Sequence, residues 1–161
     1  MTSESPSVYM LADLTEMVGK EVGLSPFTII DQERIDTFAK ATEDFQWIHT
    51  DPVLAGEHSA YGSTIAHGFL ILSLAPKFLY ECFHVEDAVM AVNYGLDKIR
   101  FPHPVAVNSK IRGRIVLNNY EQLEEGAKLT LKVNIEIEGA EKPGCTAEFI
   151  VLIVNKDTEN I

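Results

Sequence analysis

Cysteine is scarce. The chain has two, Cys82 and Cys145, far apart and without C-x-x-C spacing. That excludes a disulfide framework and a cysteine metal cluster, and fits a reduced, cytoplasmic interior. Basic residues are also few: 13 lysines and arginines stand against 24 aspartates and glutamates, a net charge of −11. A chain this acidic lacks the field of a nucleic-acid or anionic-membrane binder. Long hydrophobic runs are missing too. The most apolar window, Ile65 to Leu74, covers about half of the ~20 residues a bilayer span needs, so it reads as a buried helix with no membrane insertion. The opening MTSESPSVYM has no cationic stretch followed by an apolar one, so no secretory signal is expected and the protein is placed in the cytoplasm. Phosphate-binding loops of the G-x-G-x-x-G or G-x-x-x-x-G-K-[ST] type, a G-x-S-x-G elbow and an H-E-x-x-H helix are all absent. Bound NAD or ATP, a serine triad and zinc-protease chemistry are therefore disfavoured. No repeat or Gly/Ser linker divides the 161 residues, of which 46% are hydrophobic, so one domain over residues 1–161 is expected.

What is present is an ordered set of elements. Leu11 to Val18 reads as a short helix and Phe27 to Ile30 as a short strand. Asp31 is positioned to cap a helix with Glu33 in its first turn, running out near Thr42. Residues 43–64 read as a loop with one short helix after Pro52. Ser63 or Thr64 can cap a longer helix from Ile65 to about Phe83, in which Gly68 and Pro76 allow a late start or a kink. Strands follow: Ala88 to Tyr94, Lys98 to Phe101, Lys110 to Leu117, and the clean alternation from Leu129 to Ile137. Ala147 to Val154 is almost continuously apolar and reads as a central strand covered on both faces. Early helices, one buried helix and then antiparallel strands make an α+β fold.

The chemistry-bearing residues lie between 42 and 69. In TEDFQWIHTDP, Asp44 and His49 can grip one water and move protons in both directions, with Phe45, Trp47 and Ile48 as apolar walls. Two plainer roles stand beside this: Asp44 capping a helix end, and His49 as a hydrogen-bonded core histidine. In YGSTIAHGF, Gly62, His67 and Gly68 come to the start of the buried helix. Unpaired amides there can stabilise a developing oxyanion, and glycine permits close approach. For His67 the preferred reading is a hydrogen bond to the preceding loop. Asp44, His49, Asp51, His58 and His67 crowd together in sequence, but without paired helical histidine spacing, so no metal is expected. His103, between two prolines, reads as a rigid turn residue.

TEDFQWIHTDP, GSTIAHGF and NYGLDKIRFPHPV, in this order, are similar to the MaoC-like (R)-specific enoyl-CoA hydratase family, in the branch of nodulation protein N-like hydratases. The resemblance runs from VGLSPFTIIDQERIDTFA to EIEGAEKPGCTAE. It implies a hot-dog fold, an antiparallel sheet wrapped around a long central helix, in homodimers. It also implies reversible hydration of trans-2-enoyl-CoA to (3R)-3-hydroxyacyl-CoA with no cofactor, coenzyme A being part of the substrate. By position, Asp44 and His49 are the catalytic pair and the Gly68 amide binds the thioester oxygen. Gln46, Tyr61, Gly62 and Ser63 fall around the substrate. Two departures stand out: Glu43 where the family commonly has glycine, and a loop one residue longer around Glu57 to Ala60. Lys98, Arg100, Lys110, Arg112 and Arg114 form a local basic strip. Lys98 and Arg100 could attract coenzyme A phosphates, whereas Arg112 and Arg114 fit a solvated strand face at least as well. A hot-dog thioesterase and a non-catalytic acyl-ligand or partner-binding domain are the rival readings.

Overall fold

Three residues per turn explain the first helical element. Leu11, Leu14 and Met17 recur at a spacing of three, which stacks them on one face of a 3-10 helix. The computed structural model, which describes residues 5–155, places that helix at Leu11–Met17 with Leu11 and Leu14 buried. It follows a short strand β1 (Ser7–Tyr9) and precedes β2 (Glu21–Leu24) and β3 (Thr28–Ile30). α1 spans Gln32–Thr42; the Asp31 side chain accepts from the Arg34 amide and caps it, as the sequence predicts. α2 (Trp47–Thr50) and α3 (Pro52–His58) then replace the single short helix expected in this region. Asp51 accepts from the amides of Val53 and Leu54 and, with Pro52, starts α3.

The long helix expected from Ile65 to Phe83 is two helices, α4 (Gly68–Ser73) and α5 (Ala75–Cys82). Its cap is His67 and not Ser63 or Thr64, which lie in the preceding loop. Pro76 has no amide to continue the ladder, so the chain breaks at Leu74 and starts again. The fully buried Phe78 of α5 lies on Gly113, where an added Cβ would sit 2.6 Å from the Phe78 Cβ.

The strands β4 (Phe83–Val85), β5 (Ala88–Arg100), β6 (Ser109–Leu123), β7 (Gly126–Ile137) and β8 (Cys145–Asn155) complete the order. β1 and β4 pair in parallel, apart from the main sheet. The antiparallel main sheet runs β2-β6-β7-β8-β5, with β3 also on β6, and curls over α4 and α5 in the hot-dog arrangement. β5 joins the two strand pieces read from the sequence. Register shifts at Asn93/Gly95 and Asp97/Arg100, with Lys98 at φ 52°, carry the strand across the stretch where alternation fails. β8 is central in the sheet, but only its odd-numbered residues are buried; Ile150, Leu152 and Val154 stay half-buried on the outer face. The expectation of two covered faces therefore fails, because within this chain the helices cover one side only.

Helix α1 ends on Glu43 in the left-handed region, at φ 60° and ψ 21°. This conformation turns the backbone toward Asp44 and favours glycine, which accounts for the residue common in the resembling family. Glu43→Gly is expected to raise the free energy of unfolding by roughly 1 kcal/mol by relieving the Cβ clash. Urea unfolding of the two proteins checks this, and an unchanged or lower midpoint would contradict it.

Candidate active site

Two segments are tied together at the leading end of α4. His49, on α2, is 7% exposed, and its Nδ1 lies 2.6 Å from the Ile65 carbonyl oxygen. A carbonyl only accepts, so Nδ1 carries the proton and Nε2 of the neutral ring is left with a free lone pair. The Ile65 amide donates in return to the Ile48 carbonyl at 3.0 Å. Gln32 of α1 fastens both segments: its Nε2 donates to the His49 carbonyl at 2.8 Å and its Oε1 accepts from Thr64 Oγ1 at 2.6 Å. The Ala66 amide donates to the Val105 carbonyl at 2.8 Å, which adds the Phe101-to-Val105 segment to the assembly.

Asp44 stands in the link between α1 and α2. It is not the cap of α2, a position held by Gln46, and its one amide contact, from Gln46, is long at 3.4 Å. Its side chain is 54% exposed, and Oδ2 approaches His67 Nε2 at 3.9 Å. Asp44, His49 and His67 each bring one side-chain donor atom to within 4.8 Å of the others. The His49 and His67 rings are stacked, 3.8 Å apart and 26° from parallel. A metal would have to lie in both ring planes within about 2.1 Å of each nitrogen, and near-parallel planes at that spacing do not meet so close. Such an arrangement can hold and pass protons. Burial holds the His49 pKa below the ordinary histidine value; the bond to Ile65 opposes this, His67 adds to it, and the Asp44 charge opposes it more weakly.

His49 opens into a cavity of about 260 Å³ whose lining includes Tyr61, Gly68, Ile71, Phe101 and His103. Gly68 is the first residue of α4, which has no side-chain cap. A Cβ there would lie 3.0 Å from the Phe101 ring, so glycine is what lets the aromatic close over the helix end. The apolar walls are Ile65, Ile71, Phe101 and Val105. Phe45 and Trp47, expected as walls, are 57% and 38% exposed instead. Trp47 lies two residues from His49, on the opposite side of a helix that turns His49 inward.

Of the residues expected around the substrate, Tyr61 lines this cavity. Gln46 is exposed; Gly62, at φ 68°, closes a turn onto the Ser59 carbonyl; and Ser63 Oγ donates to the Thr64 carbonyl. The basic strip is largely neutralised. Lys98 pairs with Glu148, Lys110 with Glu138, and Arg112 and Arg114 share Glu136. Arg114 also meets Glu21 at 2.5 Å. Arg100 is exposed, donates to its neighbour's carbonyl, and has no carboxylate partner among the described residues. His103 and Phe101 reach the cavity although the sequence marks this stretch only as a proline-bounded turn. Gln32 carries no sequence signal that separates it from a surface residue of α1.

The model of the MaoC like domain matches residues 13–139. 3-Hydroxyacyl-thioester dehydratase Z of Mycobacterium tuberculosis is 43% identical over 145 residues, covering 89% of this chain and 95% of that protein. Nodulation protein N of Rhizobium leguminosarum bv. viciae is 42% identical over 147 residues, covering 89% and 90%. Among solved structures, the MaoC-like dehydratase from Rhodospirillum rubrum superposes with a TM-score of 0.75 at 18% identity, covering 92% of this chain and 98% of that one. The (R)-hydratase from A. caviae involved in PHA biosynthesis gives 0.68 at 24% identity, covering 82% and 96%. These matches, with the helix end, cavity and aspartate–histidine pair described above, show that the chain belongs to the MaoC-like dehydratase family of hydro-lyases.

Proposed function

We propose that the protein reversibly adds water to trans-2-enoyl-CoA, giving (3R)-3-hydroxyacyl-CoA. The observation that carries this reading is the pairing of a free histidine nitrogen with a carboxylate beside a cavity that ends at Gly68. The donor atoms of Asp44 and His49 lie within 4.8 Å, a gap that one water spans with two hydrogen bonds of ~2.8 Å each. His49 Nε2 takes a proton from that water as its oxygen bonds to C3 of the substrate. Electrons move through C2 to the thioester oxygen, where the Gly68 amide stabilises the charge. The imidazolium then returns its proton to C2 from the same side, which makes the addition syn, while Asp44 balances the positive charge. No cofactor enters this sequence. Arg100, next to the cavity residue Phe101, is the cation best placed for a coenzyme A phosphate; Lys98 would first have to leave Glu148.

We also propose that the protein is a homodimer paired along β5. Among the described residues β8 is the only main-sheet neighbour of β5, and β5 exposes Val89, Met90, Val92 and Tyr94. A long apolar edge of that kind calls for cover. A cytoplasmic setting fits the buried free thiols of Cys82 and Cys145. The A. caviae relative's part in PHA biosynthesis makes precursor supply for polyhydroxyalkanoate one proposed setting.

With crotonyl-CoA, the conjugated enoyl absorbance is expected to fall without release of free thiol. Thiol release would support a thioesterase, and no change across chain lengths would support a binding domain. Asp44→Asn or His49→Ala should lower turnover at least ~10²-fold; near-normal rates in either folded variant would contradict the assigned roles. A protonated His49 cannot accept from water, and burial lowers its pKa. kcat/KM should therefore be level through neutral pH and fall only below the ordinary histidine value of 6.5. A rate already falling above pH 7 would contradict this. Light scattering should give twice the 17.9 kDa chain mass, and Val92→Asp with Tyr94→Asp should shift it toward one; a monomeric parent protein would refute the dimer.

A further inference from the structure

His67 takes no part in the proton transfers above, yet it touches both His49, which makes them, and Asp44, which balances the charge. Its side chain is 3% exposed. Its ring lies 3.8 Å from that of His49, and Phe38 of α1 is 5.2 Å away. Nε2 is 3.0 Å from the main-chain carbonyl oxygen of Asp44, whereas Nδ1 is buried without a hydrogen-bond partner. The carbonyl requires that Nε2 carry the proton and leaves Nδ1 bare. Adding a proton at Nδ1 would bury an unpartnered N–H and place a charge against the His49 ring. The titratable groups that face His67 are His49 and Asp44, and Phe38 adds none.

We propose that His67 is a positioning residue: as the neutral Nε2–H tautomer, it fixes the Asp44 main chain by donating to its carbonyl and gives His49 a flat, uncharged platform. The catalytic consequence rests on the hydration reading; the structural consequence does not. A residue that only fills space would act differently, because phenylalanine matches the ring in shape and glutamine does not. Gln, in contrast, keeps an N–H at about the reach of Nε2.

Three readouts on the full chain test this. In ¹⁵N spectra of the unmodified protein at pH 8, His67 should carry its proton on Nε2 and leave Nδ1 bare. In His67→Phe, amide exchange over residues 44–47 should accelerate and kcat should drop at least ~10-fold with KM nearly unchanged. His67→Gln should restore slow exchange and part of kcat. A charged or Nδ1–H His67 in the unmodified protein overturns the proposal even when neither variant folds, as does a Phe variant that matches the parent while Gln fails. Were the parent protein inactive on enoyl thioesters, the hydration reading would fall, and the spectra and exchange rates would still decide the role of His67.

Discussion

The site depends on the bond from His49 Nδ1–H to the Ile65 carbonyl. An ordinary hydrogen bond of this kind stabilises the fold by about 1 kcal/mol net, but losing it strands a buried acceptor at a cost of ~1–3 kcal/mol. Its larger effect is chemical. By holding the proton on Nδ1 it fixes the tautomer, orients the ring and leaves on Nε2 the lone pair that the proposed hydration uses. It also joins the α1–α2 side of the site to the strand-like approach to α4, and the Ile65 amide returns the link to Ile48. One contact thus sets both where the nitrogen of the proposed base sits and which nitrogen it is.

The rest of the molecule holds this contact in place. The break at Leu74 lets α4 begin at Gly68, under Phe101, while α5 drives Phe78 into the sheet against Gly113. A single straight helix would have to satisfy both packings along one axis. Gln32, Thr64 and Val105 bind the surrounding main chain from three further directions. Such cross-bracing keeps reacting groups within the tolerances that proton transfer needs, since small displacements cost large factors in rate. The neighbouring Asp44 carboxylate is half exposed and approaches His67 from the solvent side of this braced assembly.

Much of this was legible in the sequence where local chemistry acts alone. The cap at Asp31 and the alternation of β7 follow from residue types at short spacing, whereas the spacing of Asp44 and His49 alone fits a capping and a core role as well. The start of α4 was not legible, because Ser63 and Thr64 are ordinary capping residues and the long-range bonds of Thr64, Ile65 and Ala66 hold this segment out of the helix. β2 has four residues, too few for a period, and exists because β6 extends past β3 to receive it. Gln32, Phe101 and His103 reach the site through tertiary folding, and a single sequence holds no mark of that. The exposure of Phe45 and Trp47 is the instructive failure. Apolar character beside Asp44 and His49 reads as a wall, but helical geometry sends Trp47, two residues from His49 on α2, to the opposite side, and Phe45 lies in the link before the helix.

The central claim is that one water, held by Asp44 and His49 on one side of the substrate, supplies both the oxygen at C3 and the proton at C2. Hydration of crotonyl-CoA in deuterated water, with the product's configuration read by proton NMR, tests it most directly. The account predicts a single diastereomer, with the hydroxyl at C3 and one deuterium at C2 added to the same face. Addition to opposite faces, or label scrambled at C2, would contradict it.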